Sequence, residues 1–503
     1  MKPASRPNAS FLRFLPIKAE LATALRVFCP VAFLDRDVLH KGAELELRIE
    51  KFADRGKSLT RVDGYVIFVE GAVPGDRVRV RVTKRKASYA EARIVALLEP
   101  SPLRTTPRCR YFGSCGGCKW QHVHYEAQLE AKRQSVYEAL VHHGGFEAIE
   151  VRPTLASPQV YGYRNKMEFS FSTERWLTPE EIASQQPLDR HFAVGLHAPN
   201  NFYKVIDLEE CHLPEPITVH LLNELRTFFK KQHWEPWDIR HHTGYLRHLV
   251  IRTGARTREV MVSLVTSRYD PTRMAKLKAF LQQQFPEVTT LVNIINSSPA
   301  QVAYGQAIYT IFGPGVIHDK IGPFQFEIAP EAFFQTNTAQ AERLYEVTRE
   351  LAQLKPDDLV YDLYCGTGTI SIFIAPHVRH VVGVELIASA VENAWANAAS
   401  NHITNCTFVA GDLLQVLTPE FVRLHGRPNV IIVDPPRGGM HPKVVHRIGQ
   451  LRPERFVYVS CNPQTQARDL KLLREHYCIE AVQPVDLFPH TDHVECVVAL
   501  RAR

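Results

Sequence analysis

The chain has 503 residues, 45% of them apolar and 22% charged, which is a globular composition and too long for one ordinary domain. A net charge of +7 is compatible with a nucleic-acid partner without requiring one. Ten cysteines are too dilute for a disulfide scaffold, and no apolar run reaches the roughly 18 residues of a membrane span.

Residues 1–41 look unlike the rest of the chain and are read as an N-terminal extension. Their apolar piece LATALRVFCPVAFL is broken by Arg26 and Pro30, so it is read as neither anchor nor signal, and the cytoplasm is the default location. Residues 42–102 show short strands without a helix: ELELRIEKF, GYVIFVEG, DRVRVRVTKRK and AEARIVALLEP. That pattern predicts a small barrel. In RVRVRV the period of two puts Val78, Val80 and Val82 inside and Arg77, Arg79 and Arg81 outside, with Lys84, Arg85 and Lys86 following. Little acid is expected to offset these six cations, which points to an RNA-binding edge.

Residues 103–330 read as a mixed α+β domain. It opens with Cys109-x5-Cys115-x2-Cys118, interleaved with Gly113, Gly116 and Gly117. Glycines let several thiolates converge on one centre, so the cluster is a candidate metal site, with Cys211 of DLEECHLP the best candidate fourth ligand. Zinc suits four thiolates. The spacing does not suit a radical S-adenosylmethionine centre. A helix is expected over HYEAQLEAKRQSVYEALVHH, then strands in YRNKMEFSF, FAVGLHAP, RHLVIRTG, EVMVSLVTS and TLVNIINSS. Cys29, Cys365, Cys406, Cys478 and Cys496 are taken as packing residues.

Residues 331–503 alternate helix and apolar strand, the rhythm of a doubly wound α/β sheet. DLVYDLYCGTGTISIFIA is a strand, a glycine turn and a helix, with Ser371 where a dinucleotide site wants a third glycine. Later strands end in Glu385, Asp412 and Asp434. In a parallel sheet these ends share one rim, the rim at which such sheets bind ligands. The arrangement resembles S-adenosylmethionine methyltransferases. Each acid taken singly is also an ordinary helix cap.

In VDPPRGG, Arg437 stands where enzymes that methylate exocyclic amines place an aromatic, which disfavours that chemistry. One strand further on, FVYVSCNPQ presents Cys461 at the same rim. Carbon 5 of a pyrimidine is a poor nucleophile until a thiolate adds to carbon 6. After methylation a base must remove the carbon 5 proton. Cys461 is the candidate thiolate and Glu495 the candidate base. Arg437 or Arg468 is expected to lower the thiol pKa below its usual value of about 8.5.

Together VSCNPQTQARDL, DLYCGTGTISI, VDPPRGG, FPHTDHVE and PEAFFQTN resemble the uracil-C5 RNA methyltransferases, in family order, from about residue 42 to 500. The resemblance implies a Rossmann-like methyltransferase domain behind a TRAM- or OB-like barrel. It implies Cys461 as nucleophile, Glu495 as base, and cofactor contacts at Gln335, Tyr364, Thr369, Glu385, Asp412 and Asp434. Thr369 and Asp412 each stand where members often carry asparagine. The resemblance also implies a four-iron four-sulfur cluster on Cys109, Cys115, Cys118 and Cys211, with a structural or RNA-positioning role, and 23S ribosomal RNA as substrate of a monomer. Transfer RNA is the alternative substrate. Cytosine-C5 methylation, or an RNA chaperone on an inactive methyltransferase scaffold, are more distant ones. Phe333, Phe334 and Phe488 are candidates to stack on the target base.

Overall fold

The computed structural model describes residues 39–503 apart from 186, 200 and 202. Expectations for most of the N-terminal extension, Cys29 included, lie outside the described residues.

The first sheet is built from Glu44–Arg48, Arg77–Arg85, Tyr89–Glu99, Tyr65–Glu70, Ser58–Val62 and Lys51–Phe52, in that spatial order. Its two edge strands are consecutive pieces of one segment, bent at Ile49–Glu50, so the sheet closes on itself. Val78, Val80 and Val82 are buried in its core and Arg77, Arg79 and Arg81 are exposed, as the alternation predicts. The expected lack of compensating acid is wrong. The antiparallel register sets Glu44 opposite Arg81 and Glu46 opposite Arg79. Arg77 bonds Glu99 at 2.8 Å, Arg79 bonds Glu46 at 3.0 Å, Arg81 bonds Glu44 at 2.6 Å and Lys84 bonds Glu91 at 3.3 Å. Only strand register, which no single strand reveals, brings those acids across.

The middle sheet has eight strands, with Leu246–Thr253 at its centre between Val260–Thr266 and Lys166–Ser172, and Ala307–Phe312 at one edge. One face packs on the helices Pro216–Lys231 and Pro271–Gln284 through Phe169, Leu249, Val262 and Leu225. The other face, through Val250, Met261 and Val292, shares a core with the C-terminal sheet. Both faces are covered, so these strands read as continuous apolar runs.

The C-terminal sheet runs Cys406–Ala410, His380–Glu385, Leu359–Leu363, Val430–Val433, Arg455–Ser460, Glu495–Ala502, Tyr477–Val485. The first five are parallel and Glu495–Ala502 enters antiparallel beside Arg455–Ser460. The order reverses between Leu359–Leu363 and Val430–Val433, which opens a crevice at the strand carboxyl ends. The predicted early helix forms over Tyr125–Ala139, and its Val136 and Ala139 pack on the far face of this C-terminal sheet.

Candidate active site

A cavity of about 1430 Å³ opens at that crevice, and all twelve candidate site residues line it. Its floor is the turn after Leu359–Leu363. Gly366 and Gly368 have φ of 54° and 77°, in the left-handed region that favours glycine. At Gly368 a Cβ would also stand 3.0 Å from Ala394 and Phe408. Tyr364 takes φ 68° without being glycine, a strained conformation of the kind that collects at functional sites. Glu385 accepts hydrogen bonds from the amides of Gly366 at 3.1 Å and Ile387 at 3.0 Å, tying two strand ends together. Thr369 shares a 3.0 Å hydrogen bond with the buried Tyr345 hydroxyl. Asp412 both lines the cavity and caps the turn Leu413–Val416, accepting from the Leu414 amide at 2.9 Å. Gln335 is buried in a loop held by Asn165, whose amide donates to the Gln335 carbonyl at 3.0 Å.

Ser371, the residue in place of a third glycine, has its own task. Its hydroxyl donates to the buried Asp362 at 2.6 Å. Burial nevertheless pushes Asp362 up to about 6, and the sequence reading missed this acid inside an apolar strand.

Asp434, Cys461 and Glu495 converge at the other end of the cavity. Burial first, then the charge of Asp362, pushes Asp434 up to about 7. Burial and then Asp434 push Glu495 up to about 8. The Cys461 thiol is pushed up to about 11 by burial, then by Glu495 and Asp434, while the neighbouring Arg437 pulls the other way. The expected lowering is therefore absent, because burial, joined by two carboxylates, outweighs one guanidinium. Arg468 does not serve Cys461: it bonds Asp469 at 2.6 Å and the Gly438 carbonyl at 3.0 Å. Arg437 donates to His493 Nδ1 at 2.7 Å. His493 was not singled out from sequence, although it lies two residues before Glu495 and lines the same cavity.

The segment that carries His493 is gripped from far away. The carbonyl of His490 accepts the amides of Lys119 and Trp120 at 2.9 and 3.0 Å, directly after Cys118. Gln128 bonds the His490 amide at 2.9 Å and its ring at 3.2 Å, and Tyr161 stacks on that ring at 4.4 Å. Beneath, fully buried Lys132 meets fully buried Asp486 at 2.6 Å, and the Tyr125 hydroxyl donates to the same carboxylate at 2.8 Å.

Of the aromatic candidates, Phe333 is 70% exposed at the cavity mouth, whereas Phe334 is a core residue and Phe488 is partly buried against that core. Cys365, Cys406 and Cys496 are buried as expected, but Cys478 is exposed.

The four candidate metal cysteines line the same cavity. Burial pushes all four thiols up, Cys118 to about 11 and Cys211 to about 12, and both of these also feel the charges of Cys109 and Cys115. The Gln121 amide donates to Cys118 Sγ at 3.2 Å and the Gly117 amide to Cys115 Sγ at 3.4 Å. Among the described residues, no group of three or more His, Cys, Asp or Glu is drawn together as a single metal ion requires. Four partly buried thiols, two of them accepting N–H donors, form a donor set that suits a thiolate-bound metal group. Also among the described residues, no helix is long and apolar enough to cross a membrane.

The profile of the tRNA (Uracil-5-)-methyltransferase family matches residues 256–503, and that of the TRAM domain matches residues 39–95. A Chlorobaculum tepidum protein named as an uncharacterized RNA methyltransferase is 44% identical over 463 residues, 91% of this chain and 96% of its own length. A Porphyromonas gingivalis protein of the same name is 43% identical over 468 residues, 90% of this chain and 99% of its own. The solved Pyrococcus abyssi tRNA (uracil-54, C5)-methyltransferase, in complex with S-adenosyl-L-homocysteine, is similar at a TM-score of 0.70 and 29% identity, over 91% of this chain and 100% of that one. With its glycine turn, its rim of acids and its N-terminal TRAM domain, this chain belongs to the tRNA (uracil-5-)-methyltransferase family of S-adenosylmethionine-dependent RNA methyltransferases.

Proposed function

We propose that the protein methylates carbon 5 of a uracil in 23S ribosomal RNA through a covalent intermediate. The observation that carries this reading is the meeting of Cys461, Asp434 and Glu495 in one cavity, with the thiol within reach of both carboxylate charges. S-adenosylmethionine supplies the methyl group as a sulfonium, held by Gln335, Tyr364, Thr369, Glu385, Asp412 and Asp434. The Cys461 thiolate bonds to carbon 6, and the displaced electron pair gathers at carbon 5, which takes the methyl. Glu495 then removes the carbon 5 proton, the ring double bond re-forms and the thiolate leaves. Asp434, which lines the same cavity, would hydrogen-bond the uracil edge. The target must leave its stack to reach this depth, and Phe333 at the mouth offers it a ring face.

Cys109, Cys115, Cys118 and Cys211 hold a four-iron four-sulfur cluster in this reading, with zinc as the alternative. Four thiolate ligands would leave no iron free for catalysis, so its role would be structural or RNA-positioning.

The substrate has a second reading. The barrel and cysteine segment favour ribosomal RNA by resemblance, yet the Pyrococcus abyssi tRNA (uracil-54, C5)-methyltransferase is similar over 91% of this chain, so transfer RNA stands beside it. One experiment addresses both. The protein is mixed with S-adenosylmethionine and with ribosomal or transfer RNA containing 5-fluorouridine, then run on a denaturing gel. Glu495 cannot remove fluorine, so an adduct should persist with the true RNA class and vanish in Cys461→Ala. Absence of any adduct, with RNA and cofactor bound, would sink the covalent mechanism. Glu495→Gln should accumulate adduct on ordinary uridine, and full turnover by that variant would assign the base elsewhere.

A further inference from the structure

Seven carboxylates line the cavity against two arginines, Arg164 and Arg437. Four of the acids, Glu385, Asp412, Asp434 and Glu495, sit on the C-terminal wall, which repels a phosphodiester. The arginines of the barrel are already bonded to glutamates. The opposite wall, formed by the middle sheet, is different. Lys166 and Arg252 are cross-strand partners in the antiparallel register, so two cations face each other on one side of the sheet. Such a pair opposes folding unless something answers it. The acid paired with Lys166, Glu168, stands at 4.0 Å. Arg252 is 3% exposed, its Nη2 donates to the Ala332 carbonyl at 2.8 Å, and its Nε and Nη1 meet no hydrogen-bond partner among the described residues. Arg164 lines the cavity and is fixed by a 3.1 Å bond from its Nε to the Lys166 carbonyl. Exposed Tyr304 and Phe333 border the same wall.

We infer that Arg164 and Lys166, backed by the buried charge of Arg252, form a phosphodiester-binding position for the RNA strand beside the extruded uracil. The inference rests on the proposed RNA methylation and names the wall along which the strand runs. One acid, Glu168, answers Lys166 at 4.0 Å and, among the described residues, none answers Arg252, so a phosphate here supplies counter-charge that three cations share incompletely, and it lies across the cavity from the four carboxylates of the C-terminal wall.

The test is the salt dependence of binding to a fluorescein-labelled short oligouridine, for wild type, Arg164→Gln, Lys166→Gln and Arg79→Gln. Removal of one cation that touches a phosphate should lower the slope of log affinity against log salt by about 0.7. Arg164→Gln and Lys166→Gln should each show that drop, Arg79→Gln should keep the wild-type slope, and Arg164→Lys should retain it. Lys166→Gln should melt no lower than wild type, since it removes a like charge; a clearly lower melting temperature overturns the unopposed-cation argument. Unchanged slopes for both Gln variants overturn the site. The fluorouridine trap on the same preparations separates the two readings. Adduct with unchanged slopes rejects this position alone, and no wild-type adduct rejects the methylation reading whatever the slopes.

Discussion

Asp434 and Glu495 hold their protons into the neutral range, at about 7 and about 8 against ordinary values of 3.8 and 4.5. Folded carboxyls that bind protons more tightly than unfolded ones oppose folding as pH rises, so this pair withdraws stability between roughly pH 4 and pH 8. A cation placed beside them favours their ionised forms. The sulfonium of S-adenosylmethionine is such a cation, and the thioether of S-adenosylhomocysteine is not. The ratio of the two affinities should therefore favour S-adenosylmethionine increasingly from about pH 6 to about pH 8. Calorimetric titration of both ligands checks it, and a flat ratio would mean that the sulfonium does not sit near these acids. The rim acids themselves were legible because parallel strands deliver their carboxyl ends to one edge. The raised thiol of Cys461 was not, because it depends on which charges burial leaves beside it. Asp362 was also hidden: nothing local marks an acid in DLVYDLYC as the partner of Ser371.

At the scale of elements, the buried Lys132–Asp486 pair fastens Tyr125–Ala139 to the segment leading to Glu495. Lys132→Met strands a buried carboxylate and should cost about 3–5 kcal/mol in denaturant unfolding. Replacing both partners with apolar residues should recover most of that loss. A single variant as stable as wild type would show that Asp486 finds another partner. The helix itself was visible in the sequence, but its partner was not, since periodicity says which face is buried and not against what. The strands Tyr477–Val485 and Glu495–Ala502 were also hard to delimit from sequence. Pro484 interrupts the first, and the second follows the loop FPHTDH. Their antiparallel pairing is what turns Glu495 toward Cys461 rather than away from it.

Across the whole molecule, the middle sheet, the methyltransferase sheet and the cysteine segment meet around one cavity. Because Lys119 and Trp120 follow Cys118 and bond His490, anything bound by the four cysteines braces the segment before Glu495. If the proposed cluster is what the cysteines bind, stripping its iron by oxidative chelation should lower the melting temperature and speed amide exchange in residues 488–495, with strand Leu359–Leu363 unaffected. Equal exchange before and after would separate the cysteine site from the catalytic segment. The βα order and the cysteine spacing could be read from the chain, whereas the ion pairing of the barrel and the Lys166–Arg252 juxtaposition required three-dimensional register. The grip on His490 also bears on synthesis. Lys132 and Asp486 are 354 positions apart, and Gln128 and His490 are 362 apart. On the ribosome the gripping residues emerge long before the residues they grip, and strand Glu495–Ala502 must still slot between two earlier strands. A nascent chain thus has no complete Cys461–Glu495 site until that strand is in place, and under the proposed mechanism the enzyme would stay inert toward nearby RNA while being made.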